Sequence, residues 1–283
     1  MPMAIRYPDI LSIQQPGRTF SWDERDTMLY ALAIGMGSDA DNSDELPFVY
    51  EQNLKAVPTL ATVVAWGANI GAEQLGLNRA RTVHGEESIT WHRPIAASGS
   101  VIASSRVAAV YDKGEKGAVI ERETQLRDLD GALLVSLCRT AFARGDGGFG
   151  GPSETAPPHQ VPAREADRVL EFATRPDQAL LYRLCGDRNP LHADPAVARA
   201  GGFPRPILHG LCTYGICCRA ILQAYCAFEP ERMKSLSARF SAPVLPGDRI
   251  CVRLWRDRDI VSFEAAVPAR NLVVIKSGRA RID

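Results

Sequence analysis

The sequence predicts an α+β fold made twice in tandem, two antiparallel sheets each wrapped around a central apolar helix. Three observations carry that reading: a Gly/Pro-rich break near the middle, the same order of elements on both sides of it, and alternating segments that close each half. Residues 145–164, GDGGFGGPSETAPPHQVPAR, hold Gly and Pro at a density that no helix or central strand tolerates. They read as a linker between an N-terminal unit, 1–144, and a C-terminal unit, 165–283. The glycines do not read as a phosphate-cradling loop, because no Lys-Ser/Thr follows and prolines stand where the phosphate-binding helix would begin.

Each half opens with a short strand-like piece and a helix that contains a tyrosine. Ser21-Trp22-Asp23 leads into 24–35, Phe172-Ala173-Thr174 leads into 177–185, and Tyr30 answers Tyr182. A polar loop follows, then a second helix that is nearly apolar all round, over 57–76 in the first half and 207–226 in the second. Such a helix is wrapped by other structure. Period-two alternation with β-branched residues then predicts strands near 87–93, 100–112, 117–128 and 132–144, and near 236–242, 249–257, 260–267 and 271–282. Tight turns such as Asp130-Gly131 and Pro246-Gly247-Asp248 make these antiparallel meanders. A meander buries one face, and the apolar helix is the partner at hand. This layout is the hotdog arrangement in duplicate.

The 283 residues carry 33 basic and 33 acidic side chains, a formal charge of zero. That balance removes the electrostatic footprint of a general nucleic-acid binder. The 7 cysteines fit neither a disulfide framework nor a zinc pattern, which points to a reducing compartment. The start, Met-Pro-Met-Ala-Ile-Arg-Tyr-Pro-Asp, lacks the layout of a secretory leader, and the terminal Arg-Ile-Asp is not a peroxisomal address. The longest apolar stretch, Gly210 to Phe228, is interrupted by Arg219 and Gln223 and reads as a buried helix, not a membrane span. The expectation is a soluble, cytoplasmic protein.

The second half contains a segment that the first lacks, 182-YRLCGDRNPLHADPAVARAGGFPRPILHGLCTYG-215. Gly186 and Pro190 stop the helix of Tyr182 and set Asp187, Asn189 and His192 on a turn. Asp194-Pro195 is a cap and first-turn pair for a short helix that ends near Gly201-Gly202. His209-Gly210 falls at the start of the apolar helix. Asp187 and His192 can converge on one water, a pair suited to proton transfer near neutral pH. Gly210 can expose backbone N–H where helix geometry favours negative charge, an oxyanion site for an enolate. No metal trio or nucleophile is needed. Taken singly, Asp187 also suits a turn or cap, His192 a satisfied loop histidine, His209 a capping or packing role, and Cys185 lacks an activating pattern.

Asp187-x-Asn189-Pro190-x-His192, followed by Pro206-Ile207-Leu208-His209-Gly210-Leu211, resembles the hydratase motif of the MaoC-like (R)-specific enoyl-CoA hydratases. The two-half layout is similar to their duplicated members, and Phe48-Val49-Tyr50-Glu51 and Val57-Pro58-Thr59 share the likeness. The resemblance implies reversible water addition to trans-2-enoyl-CoA giving (3R)-hydroxyacyl-CoA. Asp187 and His192 would activate the water and return a proton to C2, Asn189 would orient them, and Gly210 N–H would bind the thioester oxygen. It implies no cofactor, with CoA arriving as part of the substrate, and a homodimer. The first half has 35-GMGSDADN-42 where the motif would recur, so one site per chain is expected, with that half forming the acyl pocket. Glu51 is a candidate support from that half, against a surface or ion-pair role. Arg188, Arg199 and Arg205 lie near the motif as candidates for CoA phosphates. A hotdog thioesterase and a non-catalytic acyl-binding subunit are the competing readings.

Overall fold

The structure, a computed structural model, describes residues 5–78 and 81–283. Met1 to Ala4, the start of the segment read for a leader, lie outside the described residues. The N-terminal half contains β1 (Gln14–Trp22), β2 (Thr82–Trp91), β3 (Gly99–Asp112), β4 (Gly117–Arg127) and β5 (Leu133–Arg144), with helices α1 (Glu24–Ala33) and α2 (Leu46–Val49). The C-terminal half contains β6 (Arg168–Ala173), β7 (Met233–Phe240), β8 (Arg249–Asp257), β9 (Ile260–Val267) and β10 (Leu272–Ile282). Its helices are α3 (Gln178–Tyr182), α4 (Pro195–Ala200) and α5 (Gly210–Tyr225).

Among the described residues the strands form one antiparallel ten-stranded sheet in the order β1-β3-β4-β5-β2-β7-β10-β9-β8-β6. Outward from the β2/β7 junction, β2-β5-β4-β3-β1 on one side matches β7-β10-β9-β8-β6 on the other. That match is the internal duplication expected from the sequence. The two expected sheets meet edge to edge, with Ser88 opposite Ser237 and Glu86 opposite Arg239. Joining there satisfies backbone groups that two separate sheets would each leave unpaired at an edge.

The expected central helix of the C-terminal half is α5, whose residues Leu211 to Leu222 are all buried. Tyr214 anchors it by donating its hydroxyl proton to Leu236 O at 2.6 Å. Gly215 lets it approach α1, since a β-carbon there would meet Ile34 Cγ2 at 2.7 Å. The tyrosines that answer each other in sequence also meet in space, Tyr30 and Tyr182 lying 6.0 Å apart between ring centroids. A buried ion pair adds to this contact between halves: Arg219 of α5 donates to Glu45 at 2.9 Å, and Glu45 also accepts the Gly37 N–H at 2.9 Å.

The segment 57–76, expected as the equivalent helix, is not one. It forms 3-10 turns at Pro58–Thr62 and Trp66–Ala68, followed by further turns. Thr62 Oγ1 donates to Thr59 O and Asn69 Nδ2 to Trp66 O, each at 2.8 Å, local bonds that compete with a helical ladder. The β-branched pair Val63-Val64 further disfavours helix. The segment is apolar because it is buried, with Pro58, Leu60 and Ala61 at the core. An apolar run has no periodicity that tells a helix from compact turns.

β1 is longer than the piece Ser21-Trp22-Asp23 suggests. Its polar, mostly exposed face and the irregularity between Gln15 and Arg18, where Pro16 and Gly17 stand, hide the alternation. The stretch 145–164 has no regular structure but is docked. The Asp112 carboxylate accepts N–H bonds from Gly148, Gly114 and Gly150, each at 2.8 Å, and these hold its pKa below the usual carboxylate range. Further on, Trp255 Nε1 donates to Arg164 O at 2.8 Å. All seven cysteines are free thiols. Among the described residues no helix is long and apolar enough to cross a membrane.

Candidate active site

α3 tightens into a 3-10 turn at Arg183–Cys185 and stops at Gly186, whose φ of 139° suits glycine. The chain then makes two nested polar turns. Asp187 Oδ1 accepts the Asn189 N–H at 3.0 Å, and Asn189 Oδ1 accepts the Leu191 N–H at 3.2 Å, capping the 3-10 turn Pro190–His192. Asn189 thus shapes the loop that carries both Asp187 and His192. Asp194 caps α4 through Ala196 N at 2.7 Å, as the Asp-Pro pair predicts.

His192 is buried, and its Nδ1 lies 2.8 Å from Ile207 O. A carbonyl can only accept, so Nδ1 carries the proton and Nε2 presents a lone pair. Burial pushes the His192 pKa below its ordinary value, which keeps the ring neutral at pH 7. His209 stacks on it, with centroids 3.7 Å apart and planes 25° from parallel. His209 Nε2 donates to Asp187 O at 3.1 Å, tying the start of α5 to the loop. Burial and the neighbouring His192 take the His209 pKa down to about 3.

Side-chain ligand atoms of Asp187, His192 and His209 all fall within 4.8 Å of one another. That geometry alone would permit a cation. Each ring already spends one nitrogen on a carbonyl, His192 Nδ1 on Ile207 O and His209 Nε2 on Asp187 O, and keeps one lone pair that can accept from a water. Gly210 is the first residue of α5, so its N–H has no intrahelical acceptor. A β-carbon at Gly210 would lie 3.1 Å from Phe240 Cε1, so a flat ring closes over that backbone. A half-buried carboxylate, a neutral imidazole with a free lone pair and an open helix N-terminus therefore share one small region. Such a set can deprotonate a water and stabilise a developing oxyanion.

Two family models match in tandem, the MFE-2 hydratase 2 N-terminal domain over residues 20–145 and the MaoC like domain over residues 155–276. The chain is 38% identical over 273 residues to the enoyl-CoA hydratase ChsH3 of Mycobacterium tuberculosis (strain ATCC 25618 / H37Rv), covering 95% of each. The chain belongs to the MaoC-like hydratase family. It is also 38% identical to the peroxisomal enoyl-CoA hydratase 2 of Arabidopsis thaliana, covering 94% of this chain and 92% of that one. The crystal structure of a MaoC-like dehydratase from Phytophthora capsici superposes with a TM-score of 0.87 at 33% identity, covering 97% of this chain and 96% of that one. The duplicated architecture is the family's double hotdog.

The structure brings Asp187, Asn189, His192, His209 and Gly210 together. Glu51 is exposed on the turn after α2, and makes no hydrogen bond or ion pair with the described residues. The buried acid of that region is Glu45. Cys185 adjoins the loop, but burial raises its thiol to about 12, so it is no nucleophile at neutral pH. Sequence reasoning missed Trp66, which lies against Gly186, and Arg183, whose buried Nε has no partner among the described residues. No sequence signal singles out Trp66, because the φ of 139° at Gly186 already accounts for the glycine.

Proposed function

We propose that this chain adds water reversibly to trans-2-enoyl-CoA thioesters, giving (3R)-hydroxyacyl-CoA. The observation that carries the reading is the neutral His192 ring, its Nδ1 bonded to Ile207 O and its Nε2 free to accept, with a ring nitrogen within 4.8 Å of an Asp187 carboxylate oxygen near the start of α5. The pair holds the water; one O–H bond breaks as the oxygen bonds to C3, and the proton passes to the pair. Electron density moves to the thioester oxygen, where Gly210 N–H receives it. The enolate collapses as C2 takes a proton from the same pair. Asn189 positions the loop, and His209 fixes the Asp187 backbone. The scheme consumes no cofactor, since CoA enters with the substrate.

The N-terminal half supplies the acyl pocket, where compact turns at 58–62 and 66–68 replace a full helix. Arg188 and Arg205 on loops and Arg199 on the last turn of α4 are exposed and suit the CoA phosphates. Two chains pair as a homodimer. Seven free thiols support a reducing, cytoplasmic setting.

The test is loss of enoyl absorbance with crotonyl-CoA, followed by chiral analysis of the product. Asp187→Asn and His192→Gln are each expected to lower kcat at least about 100-fold. Near-normal rates would remove those residues from the mechanism, and release of free CoA without a 3-hydroxy product would make the protein a thioesterase.

A further inference from the structure

The inner face of the N-terminal sheet is interrupted by charge. Glu87 on β2, Arg139 on β5 and Arg122 on β4 stand opposite one another in register, Glu87↔Arg139 and Arg139↔Arg122. Arg139 Nε donates to Glu87 Oε2 at 2.7 Å and Nη2 to Oε1 at 3.3 Å, and His84 Nε2 lies 2.8 Å from Oε2. Glu87 is fully buried and Arg139 nearly so. Burial opposes its ionisation, yet Arg139 and His84 outweigh that and hold the Glu87 carboxyl down at about 2. Buried ion pairs seldom repay their desolvation against an apolar replacement, so their yield is more often a fixed geometry than stability.

Two aromatic rings lead out of this cluster, and each ends on a glycine of the candidate active site. The Arg139 guanidinium lies over the Trp66 ring, 5.1 Å from its centroid. Trp66 in turn lies against the Gly186 backbone, where a β-carbon would sit 3.1 Å from Trp66 Cβ and 3.2 Å from Cγ. Asp187 is the next residue, and its charge is felt by Arg139. On the other side, the His84 ring packs on Phe240 with centroids 4.7 Å apart, and Phe240 closes over Gly210.

We propose that the Glu87–Arg139–His84 cluster is a positioning element, contributed by the half without the catalytic loop, that sets the Asp187 loop through Trp66 and the Gly210 N–H through Phe240. The proposal rests on the reading of Asp187 and Gly210 as the reacting groups. Neither Arg139 nor Glu87 touches substrate. They fix how far apart the base and the oxyanion donor stand, by holding the two rings that those backbone segments lean on. Active sites lose roughly 100-fold in rate for about 1 Å of misplacement, so a small slip of either ring is sufficient to be read.

The test compares Arg139→Met and Glu87→Gln with Arg219→Met, which breaks the other buried ion pair nine residues along α5 from Gly210. Melting temperature, kcat and KM are measured on crotonyl-CoA and trans-2-decenoyl-CoA. Arg139→Met and Glu87→Gln are expected to lower kcat by roughly 10- to 100-fold on both substrates, with KM changed by less than about 3-fold. Arg219→Met is expected to melt lower while the folded protein keeps its kcat. Wild-type kcat in Arg139→Met, or a loss that tracks melting temperature equally in Arg219→Met, would overturn the proposal. So would an effect confined to KM on the longer substrate, which would make Arg139 a tail contact. If Arg139→Met does not fold, Trp66→Leu carries the test with the same kcat-against-KM split expected. An inactive wild-type enzyme would instead defeat the hydratase reading, so the two failures are distinct.

Discussion

Replacing His209 by phenylalanine should flatten the acid-stability curve of this protein. In the folded state the ring is 2% exposed, and its pKa lies at about 3; an unfolded histidine titrates near about 6.5. A depressed folded pKa means that the unfolded chain binds the extra proton between those values. The contribution is therefore fully present above about pH 6.5 and is lost as pH falls toward about 3. Between pH 6.5 and 4.5 the linkage integral for one such group is about 2 kcal/mol, nearly the full slope of roughly 1.4 kcal/mol per pH unit over the lower half. Phenylalanine keeps the stack on His192 but cannot take the proton. It also forfeits the bond to Asp187 O, which costs about 1–3 kcal/mol at neutral pH. Urea unfolding at pH 6.5 and 4.5 reads both effects: the variant starts less stable, and the gap to wild type narrows by about 2 kcal/mol on acidification. A gap that stays constant would refute the argument that His209 is held neutral.

Three further outcomes are expected. Because burial depresses the His192 pKa, kcat/KM on crotonyl-CoA should stay flat from pH 8 down to about 6.5 and fall only below it, as the Nε2 lone pair is lost to a proton; a steep fall starting above pH 7 would contradict this. Gly210→Ala should lower kcat at least about 10-fold, since its methyl would meet Phe240 at 3.1 Å, and Phe240→Leu in the same chain should recover part of the loss, as measured by steady-state kinetics. Asp112→Ala removes the acceptor for Gly148, Gly114 and Gly150, so limited proteolysis should cut within 145–160 faster than in wild type while crotonyl-CoA turnover is retained.

Local signals survived the passage from sequence to structure well. The turn at Gly186, the Asp194 cap and the start of α5 at Gly210 rest on interactions within a few residues, which a sequence displays directly. The duplication was legible for the same reason, as one order of elements read twice. The strand order was not: only β3–β5 and β8–β10 run as the expected meanders, while β2 pairs with β5 and β7 with β10 instead of with the next strand. What stayed hidden depends on distant partners. The stretch 57–76 looks like a helix until Thr62, Asn69 and the surrounding core are seen to favour turns. Glu45 is an unremarkable acid in a polar loop until Arg219 meets it, 174 positions along the chain. Glu87 and Arg139, 52 positions apart, sit in strands where charged residues ordinarily face water. Alternation puts Glu87 on the face of Ile89 and Trp91, and Arg139 on that of Val135, Leu137 and Ala141, but it does not show the partner that makes an inward charge tolerable.

The seam between β2 and β7 has a consequence for how freely the two halves can change. When identical subunits pair across such an edge, every substitution appears twice, on both sides of the same axis. A change that helps one pocket and spoils the other is then a net loss. Carrying both halves on one polypeptide removes that constraint, because each side of the seam is spelled by its own residues, Ser88 and Glu86 facing Ser237 and Arg239. It also makes the contact intramolecular, so it persists at any dilution. The two halves were thereby free to differ, one carrying the Asp187–His192 loop and a central helix where the other has 35–42 and compact turns.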